Sequence, residues 1–115
     1  MNKQTVFIEN DNISWEQTGD GVRRKIMAYD ESLMLVKVEF QTGAVGALHQ
    51  HIHKQISHVE SGIFETEING EKKILKAGDA FYIPSNVVHG VVCLEAGVLI
   101  DCFSPMREDF ILSKE

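Results

Sequence analysis

Four of the five histidines of this chain fall within ten residues, at His49, His51, His53 and His58. Side chains on an extended strand alternate between faces with a period of two. The spacing therefore predicts one face carrying His49, His51, His53 and Gln55, continued by Ser57 and Val59, with His58 on the opposite, solvent side. Three imidazoles side by side on an inner face are costly to bury unless something engages their lone pairs. A divalent metal ion does so, and neutral imidazole is its commonest protein ligand. The fifth histidine, His89, lies beyond two turn signals, in an apolar run that follows Pro84. In an antiparallel barrel two such strands bring distant residues face to face, which makes His89 a further ligand candidate. The His-x-His spacing taken alone also describes surface histidines on a loop.

A second chemical signal is Asp101, set inside the otherwise apolar run Val98–Phe103. Leu99, Asp101 and Phe103 share one face of such a strand. An aspartate is rarely buried without a partner, because removing its charge from water is expensive. Facing inward, Asp101 would be satisfied by a metal or a substrate hydroxyl; facing outward, it is an ordinary exposed acid on a strand.

The elements that must position these groups are short strands. Glycines at 19, 21, 43, 46, 62, 70, 78, 90 and 97 punctuate runs rich in Val, Ile, Phe and Leu. Strands are expected at Val22–Tyr29, Leu33–Phe40, Ala47–Gln50, Ile56–Glu60, Ile63–Ile68, Lys72–Leu75, Ala80–Ile83, Val87–Leu94 and Val98–Phe103. Many short strands with turn signals between them read as an all-β sandwich or barrel. Asn69-Gly70 is a hairpin turn, Gly78-Asp79 and Glu95-Ala96-Gly97 mark two more turns, and Pro84 ends a strand. Asn12–Gln17 and Arg107–Leu112 each read as one short helical turn. Leu33-Met34-Leu35-Val36 is apolar on both faces, as in a strand covered on both sides, and predicts a homodimer. Trp15 and Tyr82 are expected in the core or an interface.

Length and charge narrow the partners. The 115 residues suit one domain spanning 1–115, with its core at about 22–104 and both ends packed on it. Formal net charge is -6, from 17 acidic and 11 basic residues, which argues against nucleic acid. The single basic cluster, Arg23-Arg24-Lys25, alternates across a strand and reads as a solvated edge, with Arg23 the member considered for the barrel mouth. No apolar run approaches the roughly 20 residues of a membrane helix. The N-terminal residues lack the charged-then-apolar pattern of a signal peptide, and two cysteines make no disulfide scaffold, so a cytoplasmic location is the expectation.

Two motifs then carry a family resemblance. Gly43, five residues, His49-x-His51, three residues, Gln55, six residues and Gly62 resembles the first cupin motif. Gly78, five residues, Pro84-x-Asn86, two residues, His89, three residues and Cys93 resembles the second. Gln55 stands where the family usually has Glu, Asn86 replaces Gly, and Cys93 replaces Asn. Asn tolerates the left-handed turn that Gly would adopt. Cys93 either sits inward near the metal or packs as a small apolar group. A neutral amide in place of a carboxylate leaves the site one unit more positive, which strengthens the ion as a Lewis acid and weakens its retention.

The segments WEQTGDGVRRKIMAYDESLMLVKVEF, GALHQHIHKQISHVESGIFE and GVLIDCFSPMREDF are similar to the KdgF family of pectin-degradation cupins. The resemblance implies a single cupin jelly-roll β-barrel. It implies one divalent metal held by His49, His51, Gln55 and His89, with Zn, Ni, Fe, Mn and Co all open. It further implies a small anionic sugar-acid substrate: a cyclic 4,5-unsaturated uronate opened to linear 5-keto-4-deoxyuronate. By position, Asp101, Phe103 and Arg107 correspond to the groups around the substrate, Asp101 and Arg107 being the catalytic candidates; His53, beside the metal ligands, is read separately as a substrate-side donor or proton carrier. His53 is also open to a packed, structural role. A quercetinase-like dioxygenase, a small lyase, or a non-catalytic sugar-acid binding module remain the alternatives.

Overall fold

A computed structural model describes residues 6–112 of the chain. Eight strands form the fold: β1 (Glu16–Gly19), β2 (Val22–Asp30), β3 (Leu33–Phe40), β4 (Val45–His49), β5 (Lys54–Ile68), β6 (Glu71–Lys76), β7 (Ala80–Ile83) and β8 (His89–Ser104). A short 3-10 turn at Asn10–Asn12 precedes them, and helix α1 (Glu108–Leu112) follows. All pairings are antiparallel, in the order β1-β2-β3-β8-β5-β6, with β4 on β8 and β7 on β5. This is the expected all-β jelly roll.

Two long strands, β5 and β8, run through both layers of the sandwich. The first half of β5 pairs with β7 and the second half of β8; its second half pairs with β6 and the first half of β8. Both strands bend where they cross from layer to layer, and glycine makes the bend possible. A Cβ on Gly97 would lie 2.0 Å from the Ser61 carbonyl oxygen, and one on Gly62, at φ +85°, would lie 2.5 Å from that of Glu95. Pairing shifts register between Val59 and Phe64, so Gln55, Ser57 and Val59 face inward before the bend and Phe64 and Thr66 after it.

This crossing corrects the strand assignments. Glu95-Ala96-Gly97 is not a turn but the middle of β8, which unites the expected runs Val87–Leu94 and Val98–Phe103. Likewise β5 unites Ile56–Glu60 with Ile63–Ile68. The helical turn expected at Asn12–Gln17 is replaced by the earlier 3-10 turn and by β1, whose Glu16 and Gln17 pair with Arg24 and Arg23. Pairing with β2 supplies these backbone groups with better partners than an isolated turn would. β3 and β7 coincide with their expected limits. Asn69 and Gly70 both have positive φ (51° and 83°), as a two-residue hairpin requires. Asn86 also takes the left-handed conformation, at φ 64°.

The core has two parts. Phe40, Val59, Phe64, Cys93 and Leu99 fill one, with the Phe40 and Phe64 rings edge to face at 5.3 Å. Cys93 therefore packs as a small apolar group. Met34, Val36 and Phe103 form the other, against which the partly buried Phe110 and Ile111 of α1 pack. No helix among the described residues is long and apolar enough to cross a membrane.

Candidate metal centre

The histidines do not lie on one continuous strand. β4 ends at His49, residues 50–53 form a loop, and β5 begins at Lys54. The loop nevertheless returns the chain so that the His51 ring lies 5.4 Å from that of His49 and Gln55 faces His51. On the other side, His49 of β4 is the direct cross-strand partner of His89 at the start of β8. The ligand atoms of His49, His51 and His89 all lie within 4.8 Å of one another. His58 points outward and is exposed, as the alternation predicts.

Hydrogen bonding selects the tautomer each ring needs. Nδ1–H of His49 donates to the Ala47 carbonyl at 2.8 Å, that of His51 to His53 at 3.0 Å, and that of His89 to Val87 at 2.8 Å. Each Nε2 is thereby left as a bare lone pair, the arrangement in which histidine binds metal. Nε2 of His89 is buried without a hydrogen-bond partner. Nε2 of His51 faces the amide oxygen of Gln55 at 3.1 Å, so two acceptors confront each other. A cation among these four residues resolves both features, and the donor set of three imidazoles and one amide oxygen fits a divalent transition metal. Burial, then the Arg107 charge, lowers the pKa of His51. Burial lowers that of His89 to about 4, so its ring is neutral at pH 7.

A relay of hydrogen bonds leads away from this cluster. The Gln55 amide donates to Ser57 Oγ at 2.9 Å, which turns its oxygen toward His51. The Ser57 hydroxyl in turn donates to Oδ1 of Asp101 at 2.6 Å. The contact follows from register, since Ser57 and Asp101 are direct partners in β5 and β8. Asp101 faces inward and is 8% exposed. Burial raises its pKa to about 6, against the opposing pull of Ser57 and Arg107.

These groups line a cavity of about 230 Å³ between the layers. His49, Gln55, His89 and Asp101 form its polar end, Leu99, Val38 and Phe40 its apolar floor, and Phe103, Arg107 and Phe110 its closure toward α1. Arg107 lies over Phe103 and Phe110 at 5.2 and 4.3 Å from their centroids. Its Nε and Nη2 donate to the Asp109 carboxylate at 3.0 and 2.8 Å, so that edge of the guanidinium is already engaged. His53 lies beside the cavity rather than lining it, in an adjoining pocket of about 480 Å³ shared with His51, Met106 and Arg107. Its Nδ1 is buried without a partner, and burial followed by the Arg107 charge lowers its pKa.

The basic triad distributes differently from expectation. Arg23 faces outward and pairs with Glu39 at 2.6 Å. Arg24 is the member that lines the cavity. Lys25 is buried under the N-terminal segment, donating to Asn10 and lying 4.8 Å over the Trp15 ring. The run RRK hid Arg24, because in a basic triad the inward member is set by strand phase alone. The hydrophobic residues Val22 and Ile26, which share its phase, were the available signal.

Comparison with known proteins agrees with this architecture. The cupin domain family matches residues 36–101. The chain is 53% identical over 107 residues to the pectin degradation protein KdgF of Dickeya dadantii (strain 3937), covering 91% of this chain and 97% of that protein. The structure of KdgF from Halomonas sp. superposes with a TM-score of 0.88 and 47% identity, covering 90% of this chain and 98% of that one. An RmlC-like cupin from Shewanella frigidimarina NCIMB 400 superposes with a TM-score of 0.92 and 42% identity, covering 96% and 99%. With its two motifs, its jelly roll and a full-length relative in agreement, the chain belongs to the cupin family and is a homologue of KdgF.

Proposed function

We propose that the chain is a metal-dependent isomerase that opens cyclic 4,5-unsaturated uronates, the products of pectin or alginate lyases, to linear 5-keto-4-deoxyuronate. The observation that carries this reading is the Gln55–Ser57–Asp101 relay, which ties a cluster able to hold a metal to a buried carboxylate in one small cavity. At about 230 Å³ the cavity falls below the roughly 300–1,000 Å³ of sites for drug-sized ligands. It has room for one sugar ring.

His49, His51, Gln55 and His89 hold the ion, which supplies positive charge toward anionic substrate oxygens. Asp101 removes the proton from the anomeric hydroxyl. The O–H electrons form the C1 carbonyl as the bond from C1 to the ring oxygen breaks, leaving an enolate across C4, C5 and that oxygen. Asp101 then returns its proton to C4, and the C5 ketone forms, so the sum is an isomerisation. A carboxyl with a pKa of about 6 suits both transfers near neutral pH. The Arg107 charge, felt by His51, His89 and Asp101, favours negative charge in the cavity, and Phe103 covers the ring from water.

The test is optical. The unsaturated uronate absorbs through its C4=C5 bond, and conversion removes the band. Metal-loaded protein should accelerate that loss well beyond the spontaneous rate without consuming oxygen. No acceleration overturns the reading, and stoichiometric oxygen uptake would replace it with a dioxygenase.

The proposed assembly is a homodimer. On the outer face, Leu35, Cys102, Ile56 and Tyr82 are successive cross-strand partners on β3, β8, β5 and β7. Leu35, Ile56 and Tyr82 are 39%, 56% and 53% exposed. A continuous apolar row of this kind can meet its own copy about a two-fold axis.

A further inference from the structure

The cavity receives two guanidiniums. β2 places Arg24 on its inner face, in the cross-strand row Arg24–Val38–Leu99–Val59. The row is otherwise apolar, and the Arg24 side chain is only 15% exposed. A cation in such surroundings is costly unless it is paired or used. Glu16, its partner on β1, accepts from Arg24 Nε at 2.6 Å and fixes the plane of the group. Phe110 lies against the guanidinium, 3.8 Å from ring centroid to Cζ, and the same ring carries Arg107 at 4.3 Å. The two central carbons are therefore no more than about 8 Å apart. Both guanidiniums also line the same cavity, so one carboxylate held there has two cationic forks to accept from.

We propose that Arg24, held by Glu16 and Phe110, reads the substrate carboxylate together with Arg107 and sets the preference of the cavity for a sugar acid over a neutral sugar. Asp109 already takes Nε and Nη2 of Arg107, so a second guanidinium adds donors for the substrate carboxylate. The inference takes its substrate class from the uronate reading above, but charge recognition stands apart from turnover.

The experiment compares binding of D-galacturonate with that of its neutral methyl ester to metal-loaded protein, by calorimetry. The wild type should prefer the acid. R24Q should lose about tenfold of that preference through weaker binding of the acid, with ester affinity and metal content unchanged. R24K, which keeps a charge but not the planar fork, should fall between the two and decides the matter if R24Q does not fold. Equal weakening of acid and ester would mean that Arg24 only supports α1, and an unchanged preference in R24K or R24Q would mean that it reads nothing; either overturns the inference. A wild type without preference overturns it as well. Preference without loss of the unsaturated band would instead reject the proposed reaction and leave Arg24 as the acid-reading residue.

Discussion

The Ser57 hydroxyl donates to Asp101 across 2.6 Å, and through this bond the amide that turns toward the histidine cluster is joined to the buried carboxyl proposed to carry the proton. Neither residue is a fixed position of the two cupin motifs, yet β5 and β8 place them opposite each other. Removing either group should leave the imidazoles in place while changing the chemistry beside them.

D101N tests the proton-transfer role. Turnover should fall by about 10²–10⁴-fold, with metal content unchanged. Stability should move the other way. The folded-state pKa is raised from 3.8 to about 6, so the folded protein holds a proton that the unfolded chain releases between those values. The contribution of Asp101 is therefore most favourable below pH 4, declines as pH rises toward 6 and stays low above it. In metal-stripped protein at pH 7, D101N should be more stable by up to roughly 3 kcal/mol, read from urea unfolding. The gain should vanish at pH 3.5.

S57A should shift the pH profile. The Ser57 bond lowers the Asp101 pKa against burial, so its loss raises that pKa further. The acid limb of kcat/KM, expected near pH 6 in the wild type, should move up by about one unit. An unmoved limb would show that another group controls it.

Q55E restores a charge to the metal-binding set. Retention of the metal against EDTA should rise about tenfold, and kcat should fall by a similar factor as the ion loses Lewis acidity. H89A should lose most of its metal, because His89 is the most buried of the three clustered imidazoles. Thermal unfolding should show the wild type stabilised by added metal and H89A scarcely affected.

I56E tests the dimer, because it places a charge in the middle of the outer apolar row. Light scattering should show the wild type at twice the chain mass and the variant at the monomer mass. Turnover per chain should persist, since no residue of that row lines the cavity.

Much of the site was legible because metal ligands obey local spacing. The pairs His49/His51 and Pro84/His89 point to a common centre even though β4 and β5 are separated by a loop. The phase of Asp101, Ser57 and Val59 followed from simple alternation. The extent of β5 and β8 was not legible. Gly62 and Gly97 resemble turn residues locally, and only the opposing strand shows that they are points of close backbone approach. Arg24 escaped for a related reason: its phase depends on where β2 begins, and a basic triplet carries no apolar contrast to reveal it.

The offset in pairing where β5 crosses between layers has a consequence for how this site can change over generations. Phe64 is fully enclosed and pins the later half of β5, so an added or lost residue between positions 60 and 63 would be absorbed by the earlier half. Such an indel is a frameshift in space: it would expel Gln55 and Ser57 to the exterior and draw Ile56 and His58 inside. His49 and His89, borne on other strands, would stay where they are. A descendant of that kind would keep a two-histidine remnant of the centre, lose its chemistry and give up the buried Val59 as well.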